Sequence, residues 1–425
     1  MRLRTILFAT HLWLGLIAGV FIFLLGITGS IMAFEPEIEH ALHPHLWYVA
    51  APAGARPLTL AQIGATVHQA FPDDTISGYQ VATKPGLSDQ VGLSRGLVYV
   101  NPYSGAILGQ LRFGGPVFLN VIHQLHTHLL FRGLGGLGGK VVTGAALVLF
   151  VLLLSGLYLW WPLKRIRISW RGSAARRSWF DLHNTIGAVS LIVLLALCGT
   201  GIAIGFERTS TRLFYTMTGS EPVPRPNPHV PIPAANAVQI GLDSAFAIAR
   251  AALPGAAPFA ADVPARDEAY FIRARYPEDR TPGGRSQVLI DSYTGRVLFA
   301  QGSRTAPAGA RMVIANRAIH TGDLGGIPGK IVVSLVSLGL VFQVITGLLM
   351  WIRRSQREAL YIDSSLNCDQ VEVGDSPSGL RSSRPSVSRG VAHRRSSRTR
   401  TVDRGREPAS SKVGSRRAHP DREAS

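Results

Sequence analysis

The chain has 425 residues, a formal net charge of +18, 46% apolar residues and two cysteines. Cys198 and Cys368 are too few for a disulfide framework or a thiolate cluster. The positive charge lies in the flanks of apolar segments and in a terminal tail, so it points to anionic lipid and not to a nucleic-acid partner.

In chain order, residues 1–34 form the first expected transmembrane helix, with an uncharged run over 12–34. Arg2 and Arg4 precede it as in a secretory signal, but the run is longer than a usual signal core and no small-residue cleavage site follows, so it reads as an uncleaved anchor. Residues 35–125 form a first outer domain. An amphipathic helix at 58–70 stops at Pro72, and VYVNPYSGAIL at 98–108 reads as a hairpin whose Gly105 needs positive φ. Residues 126–163 carry the second transmembrane helix (apolar over 141–161), 164–182 a cytoplasmic link, and 183–206 the third. Residues 207–319 form a second outer domain, with a helix at 242–253 that stops at Pro254 and the hairpin VLIDSYTGRVL at 288–298. Residues 320–354 carry the fourth transmembrane helix, apolar over 331–352. Each apolar run is long enough, as a helix, to cross about 30 Å of hydrocarbon. Residues 366–425, rich in Ser, Arg and Gly, are expected to be disordered because they cannot bury enough surface to offset the entropy of ordering. The fold class expected is thus an α-helical membrane protein with two extracytoplasmic α+β domains and a disordered C-terminal tail.

Lys and Arg set the orientation. They cluster before the first span, between the second and third (Lys164, Arg165, Arg167, Arg171, Arg176, Arg177) and after the fourth (Arg353, Arg354, Arg357), which puts both termini in the cytoplasm and both long connections outside. In a Gram-negative bacterium the outside is the periplasm and the membrane the inner one.

The four spans are read as two repeats of two. A shift of 172 residues lays His11, Gly15, Thr28, Gly29, Phe34 and Glu35 onto His183, Gly187, Thr200, Gly201, Phe206 and Glu207. His126-Thr127 and Lys140 likewise answer to His320-Thr321 and Lys330. The histidines then fall at two depths, His11 with His183 inside and His126 with His320 outside. A lone histidine at a helix end is commonly just a solvated polar group. Two repeat-related pairs at matched depths instead provide what six-coordinate haem iron needs on its axial sides. The levels lie on the order of 25–35 Å apart at 1.5 Å rise per residue, so two haems b are expected and not one. His123 and His128 are possible substitutes at the outer site; His126 is preferred because Thr127 matches Thr321. His40, His43 and His45 read as an ordinary polar loop or, less simply, a metal site. The glycine run 133–139 lacks the strand and the Lys-Ser/Thr pair of a phosphate loop and reads as a turn into the second span.

ITGSIMAFEPE at 27–37, LHTHLL at 125–130, DLHNTIG at 181–187, AIHTGDLGGIPGK at 318–330 and ITGLLMWIRR at 345–354 together resemble the PepSY-associated transmembrane family. The resemblance covers roughly residues 3–360, omits the tail, and makes the outer modules PepSY-like domains. It implies a role in iron acquisition and similarity to di-haem inner-membrane reductases that release iron from ferric siderophores, with His11, His126, His183 and His320 as ligands. The partners expected are a ferric siderophore, an electron donor of unknown identity and the lipid bilayer, with no nucleic acid. Two other readings fit the sequence: a haem-bearing electron-transfer subunit of another reductase, and a non-redox anchor whose outer domains bind or regulate a partner.

Overall fold

The computed structural model describes residues 2–112, 118–131, 136–161, 166, 175–224, 227–234 and 236–371. Lys164, Arg165, Arg167, Arg171, residues 133–135 of the glycine run and tail residues 372–425 lie outside the described residues. The chain opens with α1 (Arg2–Met32), then short α2 (Glu35–Leu42) and α3 (Pro44–Trp47), and reaches α4 (Leu60–Ala70). Four strands follow: β1 (Ile76–Gln80), β2 (Asp89–Leu93), β3 (Gly96–Val100) and β4 (Ile107–Arg112). Helices α5 (Phe118–His128), α6 (Leu137–Trp160), α7 (Ala175–Gly205), α8 (Glu207–Thr218) and α9 (Leu242–Ala252) lead to β5 (Ala257–Asp262), β6 (Tyr270–Arg275), β7 (Ser286–Ile290) and β8 (Val297–Gln301). Helix α10 (Ala308–Thr321) and a 3₁₀ turn (Asp323–Gly325) precede α11 (Gly326–Val371).

Four of these helices are long and apolar enough to cross a membrane: α1, α6, α7 from Trp179, and the stretch Asp323–Gln356. Each supplies side chains to a common core in which Ala18, Ile22, Leu152, Leu194 and Leu340 pack together. Without hydrophobic drive between helices in lipid, small residues and interhelical hydrogen bonds set the closest contacts. A Cβ on Gly26 would come within 2.9 Å of Val341, and the Ser30 and Ser334 hydroxyls are 2.7 Å apart, so α1 and α11 touch backbone to backbone.

The structure revises the sequence reading in three places. The eight strands form one antiparallel sheet, in order β4-β3-β2-β1-β5-β6-β7-β8, so the two outer α+β units are halves of one layer. The seam is β1 against β5, with Tyr79 opposite Ala261, a pairing across 182 residues that no local pattern announces. Second, the segment beginning at His126 is not one helix: α5 ends at His128, Leu129 and Leu130 both take positive φ (50° and 64°), and α6 starts only at Leu137. His320 likewise closes α10, with αL Gly322 separating it from the fourth span. Third, α11 continues past Leu366, where the tail was drawn, to Val371.

Within each half the expected helix and hairpin are present. Thr59 and Gln62 form a capping box on α4, whose Ile63 and Val67 pack on Val91, Val98 and Val100; α9 packs on Ile272, Val288 and Ile290. Gly105 (φ 73°) and Gly295 (φ 70°) turn the hairpins, with the Asn101 and Asp291 side chains accepting from the backbone N–H of Tyr103 and Tyr293. On the opposite face of β3, Tyr99 donates to Glu39 and packs edge-on against Trp47, which fastens α2 and α3, and through them α1, to the sheet.

Candidate functional site

The four histidines proposed from the repeat meet in the expected pairs. The rings of His11 on α1 and His183 on α7 have centres 6.5 Å apart and planes at 82°. Those of His126 on α5 and His320 on α10 are 6.4 Å apart at 54°. A metal–imidazole bond is about 2.0 Å, so two imidazoles on opposite sides of one metal ion put their ring centres about 6 Å apart. Both spacings match that geometry.

Each imidazole is held in the same way. Nδ1 of His11 lies 2.9 Å from Ser155 Oγ, Nδ1 of His183 2.9 Å from Thr346 Oγ1, Nδ1 of His126 2.9 Å from Thr28 Oγ1, and Nδ1 of His320 3.0 Å from Thr200 Oγ1. A hydroxyl has one proton to give. In all four cases that proton goes to the carbonyl one helical turn back: Ser155 to Val151, Thr346 to Phe342, Thr28 to Leu24, Thr200 to Ala196, at 2.7–2.8 Å. The oxygen can then only accept from the ring, so Nδ1 carries the hydrogen and Nε2 presents its lone pair. His320 adds independent support, since its Nδ1 also lies 3.0 Å from the Leu197 carbonyl, which cannot donate. Four neutral imidazoles are thereby locked in the tautomer that binds a metal through Nε2.

The residue after each hydroxyl is glycine: Gly29, Gly156, Gly201 and Gly347. A Cβ there would stand 3.1, 3.3, 3.0 and 3.7 Å from the Cε1 of His126, His11, His320 and His183, respectively. Glycine lets the ring lie against the neighbouring helix at the depth of the hydroxyl. The sequence reading used Thr28-Gly29 and Thr200-Gly201 as markers of the repeat and missed that they, with Ser155-Gly156 and Thr346-Gly347, seat the four rings. A Ser/Thr-Gly pair in every span was the available signal.

His123 and His128 are engaged elsewhere. His123 Nδ1 is 3.3 Å from Glu35, and His128 Nδ1 is 2.7 Å from Thr127 Oγ1, whose own proton goes to the His123 carbonyl. His40 stacks on Trp47 at 4.0 Å, while His43 and His45 have ring centres 6.3 Å apart. Near the start of the fourth span, Lys330 is buried between Glu37 (2.6 Å) and Asp323 (3.6 Å), tying that span to α2, the short helix that follows the first.

Among the described residues no group of three or more His, Cys, Asp or Glu side chains gathers as a metal site. Each pair offers two nitrogen ligands, so an ion held there has to bring its remaining ligands with it. An iron porphyrin would do so, with one imidazole of a pair holding it from each side. The donor set, its spacing and its tautomers therefore fit a bis-histidine haem.

The family model of the PepSY-associated TM region matches residues 8–354, and the chain belongs to that family. A comparison with curated proteins finds no match.

Proposed function

We propose that this member of the PepSY-associated TM family is an inner-membrane electron carrier that holds two haems b, one between His11 and His183 and one between His126 and His320, and reduces ferric siderophore iron at the periplasmic face. The observation that carries the reading is the tautomer lock: four rings, each with Nδ1–H tied to a hydroxyl, set in two pairs with ring centres 6.5 and 6.4 Å apart. When bound, bis-histidine haem supplies a one-electron couple, and reduction suits this substrate because hard oxygen chelators hold Fe(II) far more weakly than Fe(III).

The protein's own part is positioning. No acid or base is required of it. Spans, hydroxyls and glycines fix the imidazoles and keep water from them, and the Lys330–Glu37–Asp323 cluster holds the outer ends of the first and fourth spans together. In this reading the chain is two repeats, each contributing one inner and one outer ligand, with both termini cytoplasmic. His126 is the first repeat's outer ligand because it alone of His123, His126 and His128 faces His320.

The test is the visible spectrum of the purified full-length protein. Low-spin b-type bands with close to two haems per chain are expected, and His11→Ala or His183→Ala should remove one haem and spare the other. Full haem loading in the double variant of His11 and His183 would overturn the inner site. Reduced protein should be reoxidised by a ferric siderophore in step with colour from a ferrous trap, and His320→Ala should abolish this. Haem without ferric-chelate reduction would make the chain an electron-transfer subunit; colourless protein would make it an anchor.

A further inference from the structure

The outer end of the second half carries a cavity of about 250 Å³, outside the imidazole site. Its walls are the β6–β7 loop with Arg280, the turn after β8 with Arg304, and the start of α10 with Arg311; one stripe of α10, Ile314, Ala315 and Ala318, makes an apolar floor. The acidic groups of this cavity are already engaged. Glu278 takes Arg304 in a two-pronged pair, and Asp279 accepts from the Ser303 hydroxyl (2.6 Å) and the Tyr276 backbone N–H (2.8 Å). Asp279 keeps its charge, since both of these donors are neutral, and the side chains of Arg280 and Arg311 have no hydrogen bond or ion pair among the described residues, so three arginines against two carboxylates leave the wall one net positive charge.

Two more arginines, neither of them in the cavity wall, add positive charge near α10. Arg285 and Arg317 stand close enough to repel one another, offset in part by Glu207, and burial together with Arg317 holds the Arg285 guanidinium below its usual range. An excess of one sign of charge raises the local potential and attracts an anion. The opposite side of α10 carries Asn316 and His320, both bonded to Thr200. A helix with its side chains is about 10 Å across, so an occupant of the cavity rests one helix thickness from the outer imidazole pair. The equivalent helix of the first half, α5, has neither arginine nor lysine, so the patch is one-sided.

We propose that this cavity is the docking site for the iron chelate, and that it selects chelates with net negative charge and an apolar edge, the tris-catecholate type, over cationic hydroxamates. The proposal rests on the reductase reading for what is docked, and on the arginines and the α10 stripe for where and with which charge.

The probes are the gallium(III) tris-catecholate and a cationic gallium(III) tris-hydroxamate. Gallium(III) keeps the charge and shape of the ferric complex and is not reduced, so binding is read apart from electron transfer. Calorimetry on the detergent-solubilised full chain should show tighter binding of the anionic complex, weakening as salt is raised. Combined Arg280→Gln and Arg311→Gln should weaken the anionic complex by about tenfold, as expected for two partly exposed ion pairs, and leave the cationic one unchanged. Ala315→Phe, which fills the floor without altering charge, should weaken both. Equal binding of the anionic complex to the double variant and the wild type, or a wild-type preference for the cationic complex, would overturn the proposal. Gallium binding that follows this pattern without reduction of the iron analogue would retire the reductase reading and leave the docking site standing.

Discussion

Replacing Thr346 by valine separates the tautomer lock from everything else at the inner site. Valine has the shape of threonine, and Thr346 is 1% exposed, so packing is preserved while the oxygen that accepts from His183 Nδ1 at 2.9 Å is removed. A buried donor left without its acceptor costs about 1–3 kcal/mol. Loss of a group that orients a metal-bound histidine typically weakens metal binding by about 10- to 100-fold, which is about 1.4–2.7 kcal/mol. The two estimates agree, so under the proposed function Thr346→Val should hold the haem at the His11–His183 pair 10- to 100-fold less tightly. At the outer site, Thr200→Val should fall at the lower end of that range, because the Leu197 carbonyl remains 3.0 Å from His320 Nδ1. The assay is the rate at which purified protein loses haem to an excess of a haem-scavenging apoprotein, followed in the visible spectrum. Wild-type loss rates in both variants would refute the argument that these hydroxyls set the ligand tautomer.

Two further predictions concern the outer layer. Asp243, at the start of α9, accepts from the backbone N–H groups of Leu60 (2.8 Å) and Ala61 (3.0 Å) at the start of α4, so a residue of one half caps a helix of the other; Asp243→Ala should destabilise the layer by about 1–2 kcal/mol, and an unchanged thermal or denaturant midpoint would show that the cap contributes nothing. Burial pushes the Asp89 carboxyl up to about 6, against the backbone N–H of Ala82 that its oxygen accepts. An acid whose folded value is raised favours folding in its neutral form, so this contribution is full below about 3.9 and is lost as pH rises through about 6. Asp89→Asn, which keeps the accepting oxygen, should therefore stabilise the protein at pH 7.5 by about 1–3 kcal/mol and do little at pH 4; equal effects at both values would contradict it.

The spans and the proximity of the histidines in pairs were legible because their signals are local or periodic: uncharged runs of fixed length, and like residues at a spacing of 172 that align His11 with His183. What the sequence concealed depends on contacts between distant residues. The seam between β1 and β5 joins edges that each read as an ordinary short strand, so two units were drawn where one sheet exists. The break between α5 and α6 was masked because Leu129 and Leu130 continue an apolar pattern while taking a backbone conformation that leucine rarely adopts. The hydroxyls were hidden for a different reason. Threonine in an apolar helix commonly bonds its own backbone, and Thr28, Thr200 and Thr346 do so; only the imidazole arriving from another helix reveals the oxygen's second role.

The division of labour among the helices has a structural consequence. His11 is seated by Ser155 and His126 by Thr28, all within the first half; His183 is seated by Thr346 and His320 by Thr200, all within the second. Each half therefore orients its own two imidazoles and completes neither pair, since the facing imidazole in both cases comes from the other half. The same rule holds above the spans, where the sheet closes only when β1 meets β5 and α4 is capped only when Asp243 arrives. Lys330 of the second half, set against Glu37 of the first, joins the two levels. A group held by both imidazoles of a pair would bind only the assembled halves, so its binding energy would add directly to the stability of their association. On that argument, if the proposed haems are bound, removing them should loosen the contact between halves while leaving each ring in its hydroxyl seat, because those seats are built without the partner half.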